Sequence, residues 1–207
     1  MWDAKKQYWY GYEWTRHLPG NTGQPTLNGN SSSNYAQNNS DVSRWYHEGG
    51  GSGRFDATQG CAGLPNVNEM TWYAAKGEPR WDGDELWTTM GHLYKGGMWF
   101  KKKANISGFN PNTAEDGTDW RTNGNGRSWS VSQTLPDAAD ANNYFYLPAL
   151  GYYYSGQLYN VGDDGGYWSS SAYPWNSNIA CYLYFYSGSV YVGSTNRNYG
   201  FRAEAFQ

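Results

Sequence analysis

Strand-like segments, then two helical ones, then mostly strands: this order along the chain predicts an α+β domain. Three observations carry that expectation. Aromatic residues make up 19% of the 207 residues against 16% charged, and 27 glycines punctuate them, so regular structure should be broken by long loops. Two central runs place apolar residues at helical spacing. The C-terminal run from Cys181 to Phe201 instead carries Leu183 and Phe185, then Val190 and Val192, at alternate positions, with Tyr182, Tyr184, Tyr186, Ser189 and Tyr191 outside that set. That is the period of two strands with one packed face.

In chain order, "QYWYGYEW" (7–14) reads as a short strand by its aromatic density. "PTLNGNSSSNYAQNNSD" (25–41) is loop, rich in residues that bond their own backbone. "HEGGGSGRF" (47–55) is too glycine-rich for regular structure. Residues 1–60 are therefore expected to be an aromatic, loop-rich segment, part of or an extension to the domain formed by 61–207. "GLPNVNEMTWYAAKG" (63–77) is the clearest helix: Asn66 or Asn68 caps its start, Glu69 suits its positive end, Met70, Tyr73 and Ala74 share a face, and Gly77 stops it. "WDGDELWTTMGHLYKGG" predicts a second helix from about Asp84 to Tyr94, with Leu86, Met90 and Leu93 as its core stripe. Then follow a basic turn at 101–103, a polar loop over 105–125 and a strand in "SWSVSQTL" (128–135). From 144 to 173 the chain reads as aromatic strands with glycine turns, and the terminal hairpin turns at Ser187-Gly188.

Several function classes are excluded. A net charge of -3 leaves no basic footprint for nucleic acid. No apolar run reaches the roughly 20 residues of a membrane helix, so no membrane insertion is expected. "MWDAKKQYWYGYEW" lacks the apolar core of a signal peptide, which leaves open another route out of the cell or a fragment of something longer. His17, His47 and His92 have no metal-ligand spacing. Asp82/Asp84 and Asp163/Asp164 could offer oxygens to calcium, but without a full ligand loop the plainer reading is turn residues. Cys61 and Cys181 read as two free thiols, because Cys181 is assigned to the outward phase of its strand. With no nucleophile elbow and no Cys/His signature, the chain reads as a binding protein rather than an enzyme, with no cofactor and no metal.

"GLPNVNEMTWYAAKG" together with "YWSSSAY", "YLYFYSGSVYV" and "NYGFR" resembles the C-type-lectin-fold variable proteins diversified by bacterial and phage retroelements. The helix motif is also similar to one in the formylglycine-generating-enzyme branch, and the C-terminal segment to paralogous surface proteins of gut Bacteroidetes. The resemblance covers about 60–207. It implies a C-type lectin fold, two helices packed on mostly antiparallel strands, and a ligand-binding domain whose variable region spans about 153–200. In that family adenines of a template are substituted, often in asparagine codons, which can then encode Tyr, Ser, Asp, Gly, Thr, Ile or Cys but never Lys, Glu, Gln, Met or Trp. Those five types supply 37 of the 207 residues, yet none occurs from Asn176 to Gly200, where average composition would place about four or five.

The variable surface the resemblance implies comprises Tyr154, Tyr159, Asp164, Gly166 and Tyr173 before the hairpin; Asn176, Ser177, Asn178 and Ile179 in the loop that leads into it; Cys181, Tyr182, Tyr184, Tyr186, Ser189 and Tyr191 on it; and Gly193, Ser194, Thr195, Asn196, Asn198 and Tyr199 beyond. Tyr182 is ambiguous in phase. Tyrosine suits such a surface because it presents a rigid ring and a hydroxyl at low entropic cost, with Ser, Gly and Asn as adaptable neighbours. The implied role is a hypervariable receptor-recognition protein, a phage tail-fibre adhesin in the virion that binds a bacterial surface protein or glycan. Fibre proteins of this kind are commonly homotrimers. The alternative is a lipoprotein adhesin on the bacterial cell surface. The calcium signatures of animal lectins are not reproduced, the nearest runs being "EPR" (78–80) and "WNS" (175–177), and Cys61 with Cys181 does not match the formylglycine-generating enzymes.

Overall fold

The computed structural model describes residues 1–12, 35–36 and 49–207. It is mixed α+β, with few helices and mostly antiparallel strands. The expected strand at 7–14 is not formed where it can be followed, because residues 8–11 are turns. The rest of that segment, nearly all of the 25–41 loop, and His17 and His47 lie outside the described residues.

The first helix forms as its sequence dictates. α1 spans Val67–Lys76; the Asn66 side chain accepts from the Glu69 N–H while the Glu69 carboxylate accepts from the Asn66 N–H. This reciprocal capping box settles the choice between Asn66 and Asn68. Val67, Met70, Tyr73 and Ala74 are buried, and Gly77 closes the last turn by donating to the Trp72 and Tyr73 carbonyls.

The expected helix at 84–94 is a β-hairpin instead. β1 (Arg80–Thr89) pairs antiparallel with β2 (His92–Lys101) through Trp87 opposite Tyr94 and Thr89 opposite His92. Met90 and Gly91 between them both have positive φ, 48° and 80°, the backbone of a two-residue turn matched to strand twist. Consequently Leu86, Met90 and Leu93, expected in the core, are 62%, 39% and 66% exposed. Their spacing imitates a helix, but on two paired strands it selects the outer face.

β4 (Tyr144–Pro148) joins the far half of β2 to complete a three-stranded sheet. A single turn of helix, α2 (Trp120–Asn123), precedes β3 (Arg127–Ser130), a shorter strand than "SWSVSQTL" predicts. β5 (Tyr152–Tyr154) and β6 (Gln157–Tyr159) form a small hairpin. β7 (Asp164–Ala172), β8 (Ile179–Tyr186) and β9 (Ser189–Asn196) follow, and with β3 they make a second sheet in the order β3-β9-β8-β7. The main core lies between the two sheets and α1, where Met98, Phe100, Phe145, Leu147 and Tyr167 meet Leu183, Phe185, Val190 and Val192. The terminal hairpin is thus a structural wall of the molecule.

Candidate functional site

The terminal hairpin turns at Ser187-Gly188 and pairs in register, Leu183 opposite Val192, Tyr184 opposite Tyr191, Phe185 opposite Val190. Because facing residues of antiparallel strands point to the same side, the register assigns two faces. Leu183, Phe185, Val190 and Val192 are each 0% exposed. On the other side β8 presents Tyr182, Tyr184 and Tyr186, and β9 presents Tyr191 and Ser189. Of these Tyr186 is 45% exposed, while Tyr182, Tyr184, Ser189 and Tyr191 are half-buried. Tyr182 is thereby assigned to the outer side.

Cys181 is corrected. It shares parity with Leu183 and Phe185, so it points into the core and is 1% exposed. Both cysteines are free and buried, as two thiols, and burial pushes them up to about 11 (Cys61) and about 12 (Cys181). Four further residues expected on the surface are also interior: Asp164, Gly166, Gly193 and Asn198. The two glycines lie beneath rings. A Cβ on Gly166 would stand 2.9 Å from the Phe201 ring, and one on Gly193 would collide with the ring and hydroxyl of Tyr191. Gly193 is therefore what lets Tyr191 lie along its own strand.

Asp164 has a defined task. Its carboxylate accepts hydrogen bonds from the Tyr184 hydroxyl and the Asn160 amide. Burial raises its pKa, and the two hydrogen bonds act in the opposite direction. Burial, followed by the bond to Asp164, raises that of Tyr184 as well. Asp82 is likewise structural: it accepts from the Asp84 and Glu85 N–H groups and from the Trp99 indole. The acidic pairs accordingly serve turns and rings.

The remaining candidates fall into two groups. Tyr154 meets Tyr199 in a tilted contact at 4.7 Å between centroids, Tyr159 stacks on Tyr152 at 5.7 Å, and Tyr152 meets Tyr199 and Phe201. Phe201 lies 5.0 Å from Tyr182, which in turn reaches Tyr184 and Tyr191, and Tyr184 reaches Tyr186. One continuous aromatic surface results, from β5 and β6 across to the hairpin turn. Asn176, Ser177, Asn178, Ile179 and Tyr173 sit instead at the opposite end of β8, with Ser194, Thr195 and exposed Asn196 beside them on β9. Eight residues of strand at about 3.4 Å each separate the two ends by roughly 25 Å. A single small ligand would not reach from Tyr186 to Asn176, although Tyr199, whose N–H donates to the Asn196 carbonyl, brings the two groups into contact at the Asn176 end.

Sequence reasoning missed Tyr152 and Phe201, which join the surface, and Trp168, which backs it from beneath. Trp168 is fully buried and packs on Phe201 at 4.8 Å. The available signal was "NYGFR", where Gly200 lets the chain pass close to Tyr153 and Phe201 continues the aromatic run. The surface can offer ring faces and hydroxyl hydrogen bonds to a partner.

Residues 106–206, just under half of the chain, match a family model described as a domain of unknown function (DUF8237), which takes in the whole of the second sheet. No curated protein and no solved structure matches the chain.

Proposed function

We propose that this chain is a recognition module of C-type lectin fold, which binds its ligand through the tyrosine face of the β8–β9 hairpin. The observation that carries the reading is the division of that hairpin. Its inner residues are completely buried, whereas its outer tyrosines form a connected, partly exposed surface. Such a hairpin can change outer side chains such as Tyr186 without losing the packed side that fixes its register. The absence of Lys, Glu, Gln, Met and Trp from Asn176 to Gly200 agrees with diversification by a retroelement. The role is a receptor-binding tip of a phage tail fibre, acting by binding rather than catalysis, with a bacterial surface protein or glycan as ligand. Assembly as a homotrimer would multiply weak contacts through avidity.

The test uses labelled protein and a panel of bacterial strains. Tyr186→Ala and Tyr191→Ala should abolish or redirect adsorption while the melting temperature stays within a few degrees. Phe185→Ala should cost about 3–5 kcal/mol. Equal destabilisation by all three variants, with unchanged adsorption by the folded ones, would refute the reading.

A further inference from the structure

A cavity of about 530 Å³ lies beyond the two hairpin strands, bounded by Met1 and residues 4–9, the β1–β2 turn at Thr89 and Met90, strand β5 and the C-terminal segment 200–203; it shares Tyr152 and Phe201 with the aromatic surface but no residue of β8 or β9. That volume is typical of small-molecule sites. Its composition departs from that of the chain. Lys5, Lys6 and Arg202 line it, and no carboxylate stands among its described lining residues, although the whole chain carries a net -3.

Its walls are aromatic. Trp9 and Tyr153 both line it and meet edge to face at 5.5 Å, with Tyr8 stacked on Tyr153 at the same distance. Trp9 adds an independent sign. It is 3% exposed, and its indole N–H has no acceptor among the described residues. A ligand oxygen that reached this N–H would supply the acceptor it lacks. Two of the cations, Lys6 and Arg202, are loosely engaged. Lys6 stands 4.3 Å from the exposed Tyr10 ring, and Arg202 pairs with Glu204 in an exposed contact of small value.

We infer that this cavity binds a small acidic saccharide, a sugar ring bearing a carboxylate. The ring's C–H faces pack on Tyr153 and Trp9, a ring oxygen or hydroxyl accepts from the Trp9 indole, and the carboxylate meets Lys6 and Arg202. A bare inorganic anion would leave the aromatic walls unused. A neutral sugar would leave the cations unused.

The experiment is calorimetric titration of the full chain with glucuronate, N-acetylneuraminate, glucose, inorganic phosphate and adenosine monophosphate, alongside NMR of the indole N–H signals. The acidic sugars should bind at least about tenfold more tightly than the other three and shift one indole signal, the one missing in Trp9→Phe. Lys6→Gln and Arg202→Gln, both at exposed positions, should each weaken that binding about tenfold without altering the melt. Absence of heat and of an indole shift overturns the inference, as does binding of phosphate, the nucleotide or glucose equal to that of the acidic sugars, or binding indifferent to both charge variants. Tyr186→Ala, outside the cavity, should leave this binding intact, so failure here and failure of the hairpin reading are distinguishable.

Discussion

Tyr184 shows how one side chain can serve structure and display together. Its ring forms part of the outer surface, but its hydroxyl holds the buried Asp164 carboxylate. Replacing it is therefore not equivalent to replacing Tyr186, which protrudes from the same strand. Tyr184→Phe keeps the ring and removes the donor, and a hydrogen bond to a charged group is worth about 1.5–3 kcal/mol. Chemical denaturation should show a loss of that size for Tyr184→Phe and almost none for Tyr186→Phe. Gly193 is a second case in which a residue acts through its neighbour. Any side chain there must displace the Tyr191 ring, so positions 191 and 193 of the face are coupled through space. Alternation along a strand assigns each of them a side, but it says nothing of this coupling.

Among the elements, one residue ties together all three strands of the first sheet. Glu78, just before β1, bonds Arg80 on β1, Lys101 at the end of β2 and the Tyr144 hydroxyl at the start of β4. Hydrogen bonding to Lys101, then to Arg80 and Tyr144, holds its carboxyl down at about 2 against an ordinary 4.5. A carboxylate whose folded pKa is depressed contributes stability that is present above its unfolded value and is lost as pH falls toward the folded one. The protein should therefore lose stability as pH drops from about 4.5 toward 2, and Glu78→Gln should flatten that part of the curve. Denaturant midpoints at several pH values would measure it; an identical slope in the variant would remove Glu78 from the account. The same sheet holds the largest departure from expectation, the β1–β2 hairpin. "ELWTTMGHLY" satisfies both a helical stripe and a two-stranded ribbon, and the positive φ of Met90 and Gly91 shows which won. The Trp87–Tyr94 stack at 5.1 Å across the strands favours the ribbon, a contact no single-strand pattern contains.

At the scale of the whole molecule, the described part of the N-terminal segment is built into the domain that displays the hairpin. The Trp2 indole donates to the Ser169 carbonyl at 2.8 Å, and its backbone N–H donates to the Arg197 carbonyl at 2.9 Å. The Arg197 guanidinium lies 4.4 Å over the Trp2 ring and donates to the Ile179 carbonyl where β8 begins. Asp3, completely buried, accepts from the N–H groups of Thr58, Gln59 and Cys61. One carboxylate thus fixes a turn nearly sixty residues away. Asp3→Ala would strand three donors, at about 1–3 kcal/mol for each that stays buried, and should lower the melting temperature by several degrees. A thermal melt unchanged by this substitution would mean that the segment is held through Trp2, by its hydrogen bonds and the Arg197 contact, without need of Asp3.

The sequence by itself determined what depends on near neighbours. The capping box of α1, the stop at Gly77, the turn at Ser187-Gly188 and the alternation of Leu183, Phe185, Val190 and Val192 are all local consequences of backbone chemistry and period. Only tertiary structure decided what depends on residues distant along the chain. It placed Asp164 under Tyr184, drew Phe201 over Gly166 and between Tyr152 and Tyr182, and separated the loop at Asn176 from the rings at Tyr186. The reason is physical: a side chain's period states which way it points, whereas burial and partnership are set by whatever the rest of the chain brings against it.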